Sequence, residues 1–303
     1  MSSTKIYAII VTFNPDISLL GRQLNSLTGQ VTGIVLVDNA SKNRQSIIDL
    51  LLKEYPSVKM IQNDENNGLG CAQNRGIIEA KKIDATDIVL LDQDSVPNQD
   101  CIANLIQARL VLQSSNIRVG AVGPVYYNEI SKNVYPISQY FGPFINRVVP
   151  TDKPTKASFL IASGCLINLI DMEEIGYMNE KLFIDYVDIE WSFRAQAKGF
   201  KLFAVPDAKM IHAIGDNSFA VAGREVSNHS PLRRYYLCRN SIIMIKNKNV
   251  PFGYKLRELV LNLLRLFMFF IFSSDRSRYL RYSLQGFLDG FKNLGGICTH
   301  KFD

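Results

Sequence analysis

The 303-residue chain reads as an α/β protein, with a doubly wound, mostly parallel sheet carrying helices on both faces and a helical C-terminal extension. Three observations predict this. Short runs rich in Ile and Val alternate with stretches of helical periodicity through the first 125 residues. Polar clusters stand at the ends of those apolar runs, where open parallel sheets bind their ligands. From Pro231 onward the pattern turns helical and more basic.

Residues 5–13 form a continuous apolar run, as a strand buried on both faces should. Ile17, Leu20, Leu24 and Leu27 then recur at helical spacing. Residues 33–38 (GIVLVD) predict a second strand, 45–53 a helix, 58–61 a third strand and 69–82 a helix. Residues 87–92 (DIVLLD) predict a fourth strand, 98–112 a helix and 119–122 a fifth strand. Such alternation implies right-handed crossovers. Residues 126–157 carry Pro136, Pro143, Pro150 and Pro154 with little periodicity, which predicts a long irregular insertion at the mouth of a site. Further strands are expected at 159–169 and 201–205, and a helix over 185–198 ended by Gly199.

Composition excludes several classes. A net charge of +6 suits phosphate ligands or an anionic membrane surface, or is simply a solvated face. It is too small and too scattered for nucleic acid. The five cysteines are odd in number, widely spaced and contain no C-x-x-C pair, which argues against a disulfide framework and a cysteine zinc site. The amino terminus runs straight into a strand pattern, so no signal peptide is expected. The longest apolar run, 259–272, is interrupted by Asn262 and Arg265 and falls short of the roughly 20 residues that a membrane span needs.

Five constellations carry chemistry. Asp92-Gln93-Asp94-Ser95 closes the fourth strand. Two carboxylates spaced i, i+2 suit a hard cation such as Mg²⁺ or Mn²⁺, which shares its remaining sites with phosphate and water. A solvated turn would read the same in isolation. Asp38-Asn39-Ala40-Ser41 closes the second strand; its carboxylate suits a pyrimidine N–H or a ribose hydroxyl, while Asn39 and Ser41 equally suit turn and capping roles. Asn66-Asn67-Gly68-Leu69-Gly70, with Asn74 farther along the helix, lets backbone approach an anionic ligand. It is not the dinucleotide fingerprint, because Gln73 stands where the third glycine would fall. Asp185, Asp188 and Glu190, beside Trp191 and Arg194, offer a general base or decorate a helix start. His212 follows a short strand and is either structural or within reach of a metal or diphosphate.

In order and spacing these residues resemble glycosyltransferase family 2 over about residues 4–215. The resemblance implies a GT-A fold over residues 1–230, with a nucleotide-binding half near 1–125 and an acceptor half near 126–230, and a helical extension over 231–303. It implies that Thr12, Phe13, Asn14, Asp38, Asn67, Gly68, Asn74, Asp92 and Gln93 serve the nucleotide. It makes Asp94, with Asp92, the metal site for Mg²⁺ or Mn²⁺, and Asp188 the catalytic base. The glutamate that usually precedes that base is replaced here by Val187. Asp185, Glu190, Trp191, Arg194 and His212 remain as candidates for the donor or acceptor site. The combination of Leu91–Ser95 with FIDYVDIEW at 183–191, and the segment from His229 to Tyr236 followed by Arg239-Asn240, are similar to rhamnosyltransferases of O-antigen and cell-wall polysaccharide synthesis. That similarity implies inverting transfer from dTDP-β-L-rhamnose to a lipid-linked saccharide.

Residues 255–293 mix Leu, Phe and Ile with Lys255, Arg257, Arg265, Arg276, Arg278, Arg281 and Lys292. The mixture reads as an interfacial membrane helix, as packing on the catalytic domain, or as a homodimer contact. The expected location is the inner face of a bacterial membrane. Rival readings are a UDP-hexose transferase of the same fold, a metal-dependent nucleotidyltransferase, and a non-catalytic sugar-nucleotide-binding partner. A nicotinamide oxidoreductase is disfavoured, because Thr12–Asp16 (TFNPD) replaces a glycine-rich turn.

Overall fold

The computed structural model describes residues 4–212, 218–221, 224–227, 230–272 and 276–301, with side chains described outside 212–229 and 265–275. The first half follows the alternation closely: β1 (Ile6–Thr12), α1 (Ile17–Leu27), β2 (Gly33–Asp38), α2 (Arg44–Glu54), β3 (Lys59–Gln62), α3 (Leu69–Lys82) and β4 (Asp87–Asp92). There follow β5 (Ser95–Pro97), α4 (Cys101–Ser114), β6 (Val119–Tyr127), the hairpin β7 (Ile137–Phe141) and β8 (Phe144–Val148), β9 (Thr155–Ala157) and β10 (Leu166–Asn168). The chain continues through α5 (Leu169–Ile175), a 3₁₀ turn (Glu180–Leu182), α6 (Val187–Ala197) and β11 (Lys201–His212). After the short pair β12 (Ser218–Val221) and β13 (Arg224–Ser227) come α7 (Pro231–Lys246), α8 (Phe252–Phe272) and α9 (Arg276–Phe291).

The central sheet has the order β3-β2-β1-β4-β10-β6-β11-β5, with β9 paired to β11. β1, β2, β3, β4, β6 and β11 run in one direction, and the three-residue strands β5, β9 and β10 run against them. Alternate residues of the buried strands feed two cores. Ile6, Ala8 and Ile10 of β1 meet α1, α2 and α4 on one face. Ile9 and Val11 meet α3, and the same core continues over α5 and α6. The chain turns back at β1, whose neighbours are β2 and β4, so the carboxyl ends of all three strands open into one crevice.

Several expectations need correction. Residues 126–157 are not a featureless loop. β6 runs on to Tyr127, and the prolines punctuate strands: Pro136 precedes β7, Pro143 sits in the β7–β8 turn, and Pro150 and Pro154 precede β9. The strand expected at 159–169 shrinks to β10, because the chain turns at Ala162, whose carbonyl accepts from the Cys165 N–H at 3.0 Å. The strand expected at 201–205 extends to His212. Its apolar pattern breaks at Pro206-Asp207, but a bulge between Val205 and Lys209 absorbs the break. β5 is too short to leave a periodic signal.

A buried ion pair anchors the entry to β4. Arg109 of α4 meets Asp87, and both side chains are almost wholly excluded from solvent. Asn168 adds a hydrogen bond to the same carboxylate at 3.3 Å. Removing one partner strands a charge in the core. Arg109→Ala is therefore expected to cost about 3–5 kcal/mol in chemical denaturation; a loss near zero would show that Asp87 is solvated.

Candidate functional site

A cleft of about 800 Å³ opens at the carboxyl edge of the sheet. Its walls include Val11 and Phe13 after β1, Asn39 after β2, Asn66 and Gly68 before α3, and Asp92, Gln93 and Asp94 after β4. The opposite wall is Phe183 to Ile189. The hairpin supplies Tyr140, Ile145 and Arg147, and the C-terminal helices supply Arg233, Leu237, Tyr254, Arg257 and Glu258. Asp92, Asp94 and Asp188, far apart in the chain, thus face one space.

Burial and nearby charge raise two of these carboxyls. Asp92 is pushed from the ordinary 3.8 up to about 7, first by desolvation and then by the neighbouring charges of Asp94 and Asp188. Desolvation raises Asp188 to about 6, against the pull of backbone donors at Ile189 and Ala162. Its carboxylate accepts from the Ile189 N–H at 2.8 Å. Among the described residues no group of three or more His, Cys, Asp or Glu side chains is arranged to hold an ion alone. A pair of crowded, half-buried carboxylates still fits a cation that completes its shell with substrate phosphate, as Mg²⁺ characteristically does.

The loops around these acids are cross-tied. The Phe13 N–H donates to Gln93 Oε1 at 2.7 Å, joining the ends of β1 and β4. Gln23 donates to the carbonyls of Asp92 and Ser95, each at 2.6 Å, and so fixes the D-x-D turn from behind. The Asp92 N–H donates to Ser163 Oγ at 3.0 Å. Gly68 has φ 86°, and a side chain there would collide with the Phe183 carbonyl. That carbonyl accepts the Leu69 N–H at 2.6 Å, so the loop before α3 and the acid-bearing loop touch directly.

The sequence-predicted residues divide into two groups. Phe13, Gly68, Asp92, Gln93, Asp94, Asp185 and Asp188 line the cleft. Others shape its wall from within. Asp38 is fully buried, with its carboxylate engaged by Thr12 at 3.2 Å, the Ser41 N–H at 3.2 Å and Arg44 at 2.8 Å. Thr12 is buried with it. Asn14, at φ 52°, accepts the Lys42 N–H at 2.7 Å in a turn. Asn67 donates through its backbone to Asn39 Oδ1 at 3.2 Å. Asn74 spends its amide on Met178 and Glu180, at 2.7–3.0 Å, and ties α3 to the 3₁₀ turn. Glu190 is buried against Arg194 at 2.9 Å, and Trp191 Nε1 donates to the Gly176 carbonyl at 2.9 Å. These three belong to the packing of α6, away from the cleft walls. Asp185 pairs with Arg233 at 2.8 Å. The backbone of His212 pairs with Ser95, beside the acids, but its side chain lies outside the described residues.

Sequence reasoning named Asn39 and Asn66 only as members of their loops, and it missed the aromatic and basic lining of the hairpin and Glu258. Glu258 is buried in α8 and accepts from Tyr186 Oη at 2.8 Å. A carboxylate inside an apolar helix was the available signal for it.

A sheet whose open edge gathers acids opposite an acid-bearing loop defines a nucleotide-using transferase scaffold, and comparison with known proteins gives the family. The model of glycosyl transferase family 2 matches residues 7–161, and the chain belongs to that family and is a glycosyltransferase. It is 32% identical over 297 residues to the dTDP-rhamnosyl transferase RfbF of Shigella flexneri, covering 97% of this chain and 98% of that protein. Among solved structures, GalNAc-T7 with UDP, GalNAc and Mn²⁺ superposes with a TM-score of 0.56 at 17% identity, over 96% of this chain and 56% of that one. S. aureus TarS 1-349 with UDP-GlcNAc gives 0.57 at 15% identity, over 96% and 82%. These two likenesses establish the GT-A type of fold.

The raised carboxylates predict how stability follows pH. Asp92 and Asp188 bind protons more tightly folded than unfolded, so their protonated forms favour the fold. The metal-free protein should lose stability as pH climbs from about 4 to about 7 and then level off. At about pH 8, Asp92→Asn should raise the melting temperature by a few degrees without divalent ions. A lower melting temperature for the variant would contradict the crowding of these acids.

Proposed function

We propose that the protein transfers L-rhamnose from dTDP-β-L-rhamnose to a hydroxyl of a lipid-linked saccharide, with inversion, in O-antigen or cell-wall polysaccharide synthesis. One observation carries the reading: Asp92 and Asp94 share one cleft of about 800 Å³ with Asp188. The relative in Shigella flexneri, matched end to end, supports the choice of donor.

In this reading Asp94 and Asp92 would hold Mg²⁺ or Mn²⁺, and such a cation supplies Lewis-acid neutralisation of the departing diphosphate. Phe13, Asn39 and Gly68 flank the nucleotide. Asp188 takes the proton of the acceptor hydroxyl as its oxygen bonds to the anomeric carbon. The bond from that carbon to the diphosphate oxygen breaks, and the diphosphate leaves with the electron pair. A base raised to about 6 is ionised at neutral pH yet basic enough to draw the proton.

The test offers the protein dTDP-rhamnose, UDP-glucose, UDP-galactose and GDP-mannose, with and without Mg²⁺ and with membrane-extracted acceptor. Nucleoside diphosphate release from dTDP-rhamnose alone is expected. Release of pyrophosphate would favour a nucleotidyltransferase, and binding without turnover a non-catalytic partner. Asp188→Asn should lower the rate by about 10²- to 10⁴-fold, and the wild-type rate should rise with pH through about 6. Unchanged turnover in that variant would remove Asp188 from the chemistry.

We also place the protein at the inner face of the membrane. No helix among the described residues is long and apolar enough to cross a bilayer. The support is a surface stripe. Leu256, Leu259, Val260, Leu263 and Leu264 are exposed along α8, and Leu280, Leu284, Leu288 and Phe291 along α9. The tip of the β7–β8 hairpin sits on the start of α8, where Gly142 abuts Gly253. Phe141, Phe144 and Phe252 are 64%, 75% and 80% exposed there. Apolar faces flanked by Lys255, Arg276, Arg278 and Arg281 suit an anionic interface. Flotation with phosphatidylglycerol-containing vesicles should recover the protein, and Leu259→Ser with Leu263→Ser should weaken recovery by about tenfold or more. A dimer in solution that ignores vesicles would instead assign the stripe to a second copy.

A further inference from the structure

We infer that Arg239 and Asn240 of α7 are positioning residues for the reaction, holding the backbone ahead of Asp188 in a shape it would not keep alone. The inference rests on the assignment of Asp188 as base.

Phe183, Asp185 and Tyr186 have φ of 62°, 61° and 63°. Residues with a Cβ adopt positive φ at a cost, and here three cluster in one short turn: Tyr186 (ψ −3°) is left-handed, and Phe183 (ψ −64°) forms a γ-turn in which the Ile184 N–H donates to the Leu182 carbonyl at 2.7 Å. Such strain persists only where surrounding structure over-determines it. The determinants are visible. Asn240 Nδ2 donates to the carbonyls of Leu182 at 2.7 Å and Ile184 at 2.8 Å, with Asp185 O at 3.3 Å. Arg239 Nη2 donates to the carbonyls of Lys181 at 3.0 Å and Leu182 at 3.2 Å. Arg239 Nε donates to Asn240 Oδ1 at 3.1 Å, which locks the two side chains to each other.

The chemistry of this clamp is unusual for a merely structural contact. Arg239 is 1% exposed, yet its guanidinium donates to main-chain carbonyls and the Asn240 amide oxygen and lies over the rings of Tyr235 and Tyr236. Among the described residues no carboxylate pairs with it; burying a cation in that way is expensive, and an apolar side chain would fill the space more cheaply. What an apolar side chain cannot do is fix several carbonyls at once. The C-terminal tail closes the clamp from outside. Arg239 Nη1 donates to Gly296 O at 2.6 Å, and the Gly296 N–H donates to Lys181 O at 2.9 Å. The Cys298 N–H donates to Tyr236 Oη at 2.9 Å, and the Tyr236 ring stacks on Phe183 at 4.7 Å. The braced turn ends where α6 begins at Val187, one residue before Asp188.

The test uses the full chain carrying Asn240→Asp, which keeps shape but removes the donors, and Arg239→Lys, which keeps the charge but loses the fork. Hydrogen exchange without substrate reads the brace itself. Faster exchange confined to residues 181–189, with β1 and β4 unchanged, is expected. Unchanged exchange in both variants, or loss of protection throughout the chain, overturns the proposal whatever the donor proves to be. Steady-state kinetics with dTDP-rhamnose and membrane-extracted acceptor reads the role. A fall in kcat of about 10- to 100-fold, with donor KM within about twofold, is expected of a misplaced base. Looser exchange with unchanged kcat overturns the positioning role, as does a rise in donor KM that matches the loss of kcat. Absence of wild-type turnover would count against the donor assignment and leave the exchange experiment to decide the brace.

Discussion

Like charges held together in a desolvated cleft are the constraint around which this fold is arranged. Asp92 and Asp94 leave the end of β4 while Asp188 approaches from the far side, and burial together with the charges of Asp94 and Asp188 makes ionisation of Asp92 harder. Nothing in the backbone wants such a grouping. It is kept by ties that act from outside the cleft: Gln23 behind the D-x-D turn, Gln93 across to β1, and the Leu69–Phe183 hydrogen bond between the facing loops. Acids crowded at a sheet edge are an arrangement that a bound cation would relieve, which is how binding strength can become available for chemistry.

The sheet was legible because its strands are buried on both faces. Unbroken apolar runs such as IYAIIVT and DIVLLD admit few other readings, and their polar ends mark the ligand edge without further information. The hairpin was illegible for the opposite reason. β7 and β8 are half exposed and interrupted by Pro143, so neither periodicity nor composition distinguishes them from a loop. β11 was cut short at Pro206, since a bulge that rescues a strand leaves no local signal.

The same distinction applies to the site. Asp94 and Asp188 could be picked out by residue type and position. Asp38, Asn74 and Glu190 read the same way in sequence, and the fold engages each in internal ties, a role that polar side chains at strand and helix ends also serve. Glu258, Tyr254 and Arg257 lie far along the chain from Asp92, Asp94 and Asp188, which they join in the cleft, on a helix whose outer face is apolar.

The family match ends at residue 161, before α6 begins, and the far walls come from later segments. The strand ends and most of the surface facing them therefore come from separate stretches of the chain. Substitutions on the inner side of α8 reshape the cleft without disturbing the strands of the sheet. Such a division lets one face of the cleft be recut residue by residue while the strands and their buried cores stay intact.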